Sequence, residues 1–186
     1  MYRLLFASRS CILLIGCCLI AKQRENVMSV NISEFKNALK LWASGVTVVT
    51  ANSPLQGPKG MTATSFSSVS VDPPQILVCL NRATDTGAVV LDTDYFAVNI
   101  LHSAQQAVSD QFAGAATQEQ RFAEVAWEAG SYNLPLLTDA LVSLECKLVQ
   151  KVLAGTHWII VGEVENVISR SGEPLLYYHG AYRHLA

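Results

Sequence analysis

The apolar positions of this chain change period several times, and each change marks a predicted element. Ile32, Phe35, Ala38, Leu39 and Trp42 keep the spacing of one helical face, with an Asn-x-x-Glu start at Asn31 and Glu34 and a stop at Gly45. The spacing predicts an amphipathic helix covering a core. Residues 46–50 are all Val or Thr and predict a strand, followed by a Pro- and Gly-rich turn over 52–60. The hydroxyl-rich run after Gly60 then reads as a second strand, stopped by Pro73-Pro74 and paired with the first as a hairpin. Residues 76–80 form a buried third strand, 86–91 a short helix and 95–101 a fourth strand. Ser103-x-x-Gln106 has the form of a capping box before a helix carrying Ala107, Val108 and Phe112.

Between 114 and 139 the periodicity fades, and Gly130, Asn133 and Pro135 predict a long surface excursion. Regular alternation returns where Val142, Leu144, Cys146 and Leu148 interleave with Ser143, Glu145 and Lys147, the pattern of a strand with one buried face. Cys146 is a core residue on this reading. Residues 158–164 and 175–178 supply two more strands. Six or seven strands, few helices and no regular βαβ alternation predict a mainly β, antiparallel barrel.

A chain of 186 residues with 51% apolar content can bury one sizeable domain. A formal charge of −2 without a Lys/Arg cluster argues against a phosphate-tracking nucleic-acid surface. Five cysteines, an odd number without CxxC spacing, give neither a disulfide framework nor a zinc site. Four histidines at 102, 157, 179 and 184 have no metal-ligand spacing, so no metal is expected.

Residues 1–27 differ in composition from the rest of the chain and are read as a leader, with residues 28–186 as the working domain. The apolar block over 11–21 falls short of the roughly 20 residues that span a bilayer. Two readings apply: a signal or lipid-anchor segment, with Leu14-Ile15-Gly16-Cys17 resembling a lipoprotein cleavage box, or a stretch upstream of a start at Met28. The second is preferred, and no membrane association is expected unless the leader is an anchor.

The chemistry concentrates in residues 60–74, where Thr62, Thr64, Ser65, Ser67 and Ser68 place hydroxyl and amide donors on a main chain that a flat ligand can approach closely. No Gly-x-Gly-x-x-Gly follows a strand and no Walker loop is present, so a dinucleotide would not bind in the Rossmann manner. The segment over 60–74, together with Gly45-Val46-Thr47-Val48-Val49-Thr50, Ile76-Leu77-Val78-Cys79-Leu80-Asn81-Arg82, Phe96-Ala97-Val98-Asn99-Ile100-Leu101, Gly155-Thr156-His157 and Pro174-Leu175-Leu176-Tyr177-Tyr178-His179-Gly180-Ala181-Tyr182-Arg183, resembles in order the flavin reductase-like family. The resemblance runs from about Ile32 to the C-terminus and is nearest to the small reductase components of two-component monooxygenases.

That resemblance implies an FMN-binding split β-barrel with Greek-key-like antiparallel strands and a few covering helices. It implies an enzyme that passes hydride from NADH or NADPH to FMN or FAD, a homodimer, a cytoplasmic location and an oxygenase that receives the reduced flavin. Such chemistry asks the protein mainly to align two flat rings, with no catalytic dyad. By the resemblance Thr62, Ala63, Thr64, Ser65 and Phe66 line the flavin, Thr47 and Val48 border it, and Cys79 lies nearby. Asn81, Arg82, Thr84 and Thr86 serve the ribityl-phosphate end, with Arg82 as the phosphate cation. His157 contacts nicotinamide, and Thr156, standing where many relatives carry Asp, argues against proton transfer by this histidine. His179 and Tyr182 belong to the substrate rim. A non-catalytic flavin-binding or electron-carrying module is the alternative function on the same barrel.

Overall fold

The computed structural model describes residues 30–185, so the proposed leader over 1–27 lies outside the described residues. The chain divides into two units between Leu39 and Lys40. In the first, helix α1 (Ile32–Leu39) forms with Ser33 N–H bonded to the Asn31 carboxamide oxygen. The helix stops well before Gly45, and none of its residues is buried.

The second unit is built on a seven-stranded antiparallel sheet. Its strands are β2 (Thr47–Ser53), β3 (Gly57–Ala63), β4 (Phe66–Val71), β5 (Pro74–Asn81), β6 (Tyr95–Ile100), β9 (Val142–Ala154) and β10 (His157–Ser169), in the order β3-β2-β6-β9-β10-β5-β4. A small sheet joins β1 (Ser44–Gly45), β11 (Leu176–Tyr178) and β12 (Ala181–Arg183), and a two-stranded ribbon joins β7 (Trp127–Ala129) to β8 (Pro135–Leu137). Helices α2 (Asp85–Thr93), α3 (Gln106–Ala113) and α4 (Gln118–Ala123) complete it. The predicted mainly β, antiparallel class and the first hairpin are both observed. The sheet does not close on itself, because β3 and β4 are both edges.

The largest departure from the sequence pattern lies in the hydroxyl-rich run, which is two strands and not one. Strand β3 ends at Ala63, β4 begins at Phe66, and they occupy opposite edges of the sheet. Thr64-Ser65 is the point where the chain changes edges. Period-2 reasoning could not find this break, since neither residue is a turn former that forbids extended backbone.

Two further expectations are corrected. Residues 114–139 are no surface excursion, because Phe122, Leu134, Leu136 and Leu137 are buried in the core. Their elements are only three to six residues long, too short to display a period. Nor does β9 bury a single face: Ser143, Leu144, Glu145 and Cys146 are all buried, with the 130–134 loop covering the second face. Glu145 accepts hydrogen bonds from the amides of Ser131 and Tyr132 and from Asn166 Nδ2, which satisfies a fully buried carboxylate. The Ser103-x-x-Gln106 capping box is also absent; α3 starts after Gln105 without a side-chain cap, whereas Thr117 and Gln120 form a true box on α4.

The main core gathers Val49, Val78, Leu80, Phe96, Val98 and Ile160 around Cys146. Gly162 is required there, since a Cβ would meet the Phe96 ring at 2.5 Å. Burial pushes the Cys146 thiol from its ordinary value of 9.0 up to about 12, with the Glu145 carboxylate adding to the rise. The folded chain therefore holds a proton that the unfolded chain releases between those values. Stability from this group is intact below pH 9.0 and drains as the pH rises toward about 12. Denaturant titrations across that window should show a steeper alkaline loss for the native chain than for Cys146→Ala, and peptide mapping after alkylation at pH 8 should find Cys79 labelled before Cys146. Equal slopes and early labelling of Cys146 would refute the assignment.

Candidate functional site

Two surface cavities meet along β3. One, of about 360 Å³, is lined by Val46, Thr62 and Thr64, by Ser109, Asp110 and Ala113 of α3, and by Tyr177, Gly180, Ala181 and Tyr182 of the C-terminal hairpin. The other, of about 320 Å³, is lined by Met61 and Thr62, by Ala83, Thr84, Asp85 and Thr86 at the start of α2, and by Phe112, Ala113, Gln118 and Arg121. Thr62 and Ala113 belong to both. The two hollows thus form one groove with a shared waist.

The groove exists because of how α3 and α4 are seated on the β3 edge. Gly60 N–H donates to Gln118 Oε1 at 2.9 Å, and Arg121 Nη1 donates to Gly60 O at 2.7 Å. These two side chains, three residues apart on α4, replace the missing neighbour strand. Gly60 has no room for a side chain, as a Cβ would lie 2.5 Å from the Phe112 ring. Thr62 Oγ1 adds a 2.7 Å bond to the Ser109 carbonyl.

Of the residues singled out in the sequence, Thr62, Thr64, Tyr182, Thr84 and Thr86 line this groove. A second group lies together at one end of the β4-β5-β10 sheet. Ser65 Oγ donates to Cys79 O and accepts from Cys79 N–H, both at 3.0 Å, and Phe66 pairs with Val78. His157 pairs with Asn81, and Arg82 N–H donates to the Thr156 carbonyl. Thr156 Oγ1 meets His157 Nδ1 at 2.9 Å, so a hydroxyl orients this half-buried ring where a carboxylate is lacking. Thr84 Oγ1 donates to Asn81 O at 2.8 Å, which joins this second group to the cavity that Thr84 lines.

Most of the hydroxyls are already committed. Thr47 Oγ1 donates to Ala63 O, while Thr84 Oγ1 donates to Asn81 O and caps α2 by accepting from Gly87 N–H. Val48 and Ala63 are buried in the core, and Cys79 is half-buried. Arg82 is exposed and does not line either cavity. His179 is exposed too, with φ 54° and its N–H bonded to Lys40 O; its neighbours Gly180 and Ala181 line the groove in its place.

Two features were beyond the sequence reading. Ser109, Asp110 and Ala113 come from the predicted helix α3 but were not singled out, and Gln118 and Arg121 come from α4, whose signal was the Thr117-x-x-Gln120 box. Thr86 Oγ1 is fully buried and has no hydrogen-bond partner among the described residues, an atom whose hydration has been given up without replacement. At the other end of the groove Tyr182 donates to Asp110 Oδ1 at 2.6 Å and lies 2.9 Å from Ser109 Oγ. Burial, then the Asp110 hydrogen bond, raise the Tyr182 phenol above its ordinary value. The phenol is a neutral donor at physiological pH.

The Ser65 bonds carry a test. Ser65→Ala leaves both backbone groups of Cys79 without that hydroxyl, and loosens the β4–β5 pairing by about 1–2 kcal/mol. Urea denaturation should show this loss; an unchanged midpoint would mean that water takes over both bonds.

Comparison with known proteins agrees with this outline. The family described as flavin reductase like domain matches residues 39–186. The FMN reductase (NADH) RutF of Pseudomonas syringae is 37% identical over 160 residues, 86% of this chain and 89% of that protein. The reductase component of the flavin-dependent trigonelline monooxygenase of Acinetobacter baylyi is 38% identical over 81% of this chain, which spans 48% of that longer protein. Among solved structures, the NADH:FAD oxidoreductase SgcE6 of Streptomyces globisporus superposes with a TM-score of 0.78 at 30% identity, covering 87% of this chain and 92% of that one.

Proposed function

The chain belongs to the flavin reductase like family, and on that premise we propose that it is an NADH-dependent flavin reductase that supplies reduced flavin to a partner oxygenase. FMN is the preferred flavin, as in the named RutF relative, and the oxygenase partner is inferred by likeness to the trigonelline reductase component. The observation that carries the reading is the pair of adjoining open hollows along β3, which share the small residues Thr62 and Ala113 and together run from the Tyr182–Asp110 pair to the start of α2. A site of this form suits ligands that enter, react and leave.

The residues present fit a flavin phosphate, because Thr86 keeps an orphaned hydroxyl at the first turn of α2. When bound, the flavin ring accepts the hydride and supplies the redox chemistry. The chain's own part is placement. Thr62 and Thr64 present the β3 edge to the groove, and Tyr182 with Asp110 closes one end. His157, held by Thr156, is assigned to nicotinamide contact. The route of catalysis is the entropy saved by holding two rings face to face.

A homodimer belongs to the same reading. Val149, Val152 and Leu153 on β9 and Val69 and Val71 on β4 are large exposed apolar residues in one chain, an arrangement that association would cover. Among the described residues no helix is long and apolar enough to cross a membrane, and access to NADH favours the cytoplasm.

The test is NADH oxidation with and without added FMN, FAD or riboflavin. Oxidation that requires flavin supports the assignment; flavin binding without turnover would establish the carrier alternative instead. His157→Ala should raise the apparent KM for NADH several-fold and leave flavin affinity unchanged in a fluorescence titration, and a change confined to flavin affinity would reverse that role. Sedimentation should give a dimer, and a monomer of full flavin affinity would remove the dimer from the proposal.

A further inference from the structure

NADPH differs from NADH only by a phosphate on the 2′-hydroxyl of the adenosine ribose. A groove that takes one and refuses the other needs a group that senses that charge. The hollow beside the C-terminal hairpin holds such a group, Asp110 of α3. Its Oδ1 accepts from the Tyr182 phenol at 2.6 Å, and its Oδ2 has no partner among the described residues. The phenol also lies 2.9 Å from Ser109 Oγ, while the Ser109 carbonyl accepts from Thr62 Oγ1 at 2.7 Å. Strand β3, helix α3 and strand β12 together fix where the carboxylate stands.

None of these partners cancels its charge. Ser109 is neutral, and burial, with the Asp110 hydrogen bond, holds the Tyr182 phenol protonated above its ordinary range. Among the described residues no lysine, arginine or histidine lines this hollow. Arg183, next to Tyr182, donates Nη1 to the Tyr182 carbonyl and does not line it, and Arg121 belongs to the adjoining hollow. A carboxylate with one oxygen open, set among neutral groups, accepts a hydrogen bond from a ribose hydroxyl and repels a phosphate in its place. Doubly wound dinucleotide-binding folds put an acidic side chain on the ribose for the same chemical reason. Here the acid would come from a helix seated on a sheet edge.

We propose that Asp110, held by Tyr182, selects NADH over NADPH by accepting from the adenosine ribose and repelling the phosphate that NADPH carries there. The inference rests on the flavin reductase reading above and on Tyr182 as part of the reductant's rim. Asp110 is exposed, so water screens the repulsion, and the selection it gives is about ten-fold, not thousands-fold.

The test is steady-state oxidation of NADH and of NADPH at saturating FMN by the full-length chain, its Asp110→Asn variant and its Asp110→Lys variant. Asparagine keeps an oxygen for the Tyr182 phenol and removes only the charge. In the wild type the kcat/KM for NADPH should lie about ten-fold below that for NADH. The NADPH-to-NADH ratio should rise about five- to thirty-fold in Asp110→Asn, as the KM for NADPH falls, and further in Asp110→Lys. A merely structural residue would change both nucleotides alike. Salt gives a readout that needs no variant: between about 0.01 and 0.15 M the screening length shrinks from about 30 to 8 Å. The wild-type ratio should climb across that range, and the Asp110→Asn ratio should stay level. If neither variant folds, the wild-type salt series decides alone. Equal use of both nucleotides by the wild type, a ratio unmoved in Asp110→Asn, equal losses with both nucleotides or a flat wild-type salt series overturns the proposal and leaves the flavin reductase reading standing. A chain that oxidises neither nucleotide in the presence of FMN removes both.

Discussion

An open sheet has two edges, and the backbone groups along them must be satisfied by something other than another strand. At the β3 edge the solution is Gly60, whose N–H and C=O are both met by side chains of α4, Gln118 and Arg121. The absence of a side chain at Gly60 lets the Phe112 ring pack directly on the backbone, so α3 and α4 are held at a fixed distance from β3. The groove is the space this clamp leaves. Its waist at Thr62 and Ala113 is where strand and helix approach, and its two ends open where they diverge.

Hydroxyl groups do much of the remaining framing. A hydroxyl can donate and accept at once, which suits it to places where the sheet ladder is interrupted. Ser65 stands in for a strand neighbour at Cys79 just after the chain has changed edges, and Thr47 and Thr84 fasten adjacent turns. A run that looks like a ligand-binding surface in one dimension therefore divides its labour. Thr64 lines the groove, while Ser65 commits its hydroxyl to the protein.

On the far side of the sheet, buried polar residues seat the segment between α4 and β9. Asn99, fully buried, accepts from Leu137 N–H and Ser143 Oγ and donates to Val48 O and Thr50 Oγ1. Glu145 secures the 130–134 loop in the same way. Such networks fix one arrangement, since each member left unpaired would cost the full desolvation of a buried polar group. The Tyr95 and Tyr132 rings, stacked at 5.0 Å, close the outer surface of that loop.

The class of the fold is written locally: β-branched and apolar runs such as residues 46–50 and 76–80 commit to strands, because their side chains fit a pleated surface wherever they are placed. The ordered set of motifs that marks the family is equally local, and so is the helix at residues 85–93. Which edge each strand joins and which hydroxyls face the groove were settled only when distant segments came together. Neither the break at Thr64-Ser65 nor the burial of Glu145 has a local signal, since one depends on distant β5 and the other on the loop that folds over β9. Arg121 shows the same limit. In the sequence it is an ordinary surface residue on a short helix, and it comes to line the cavity because three carbonyls, one of them 61 positions away, hold it there.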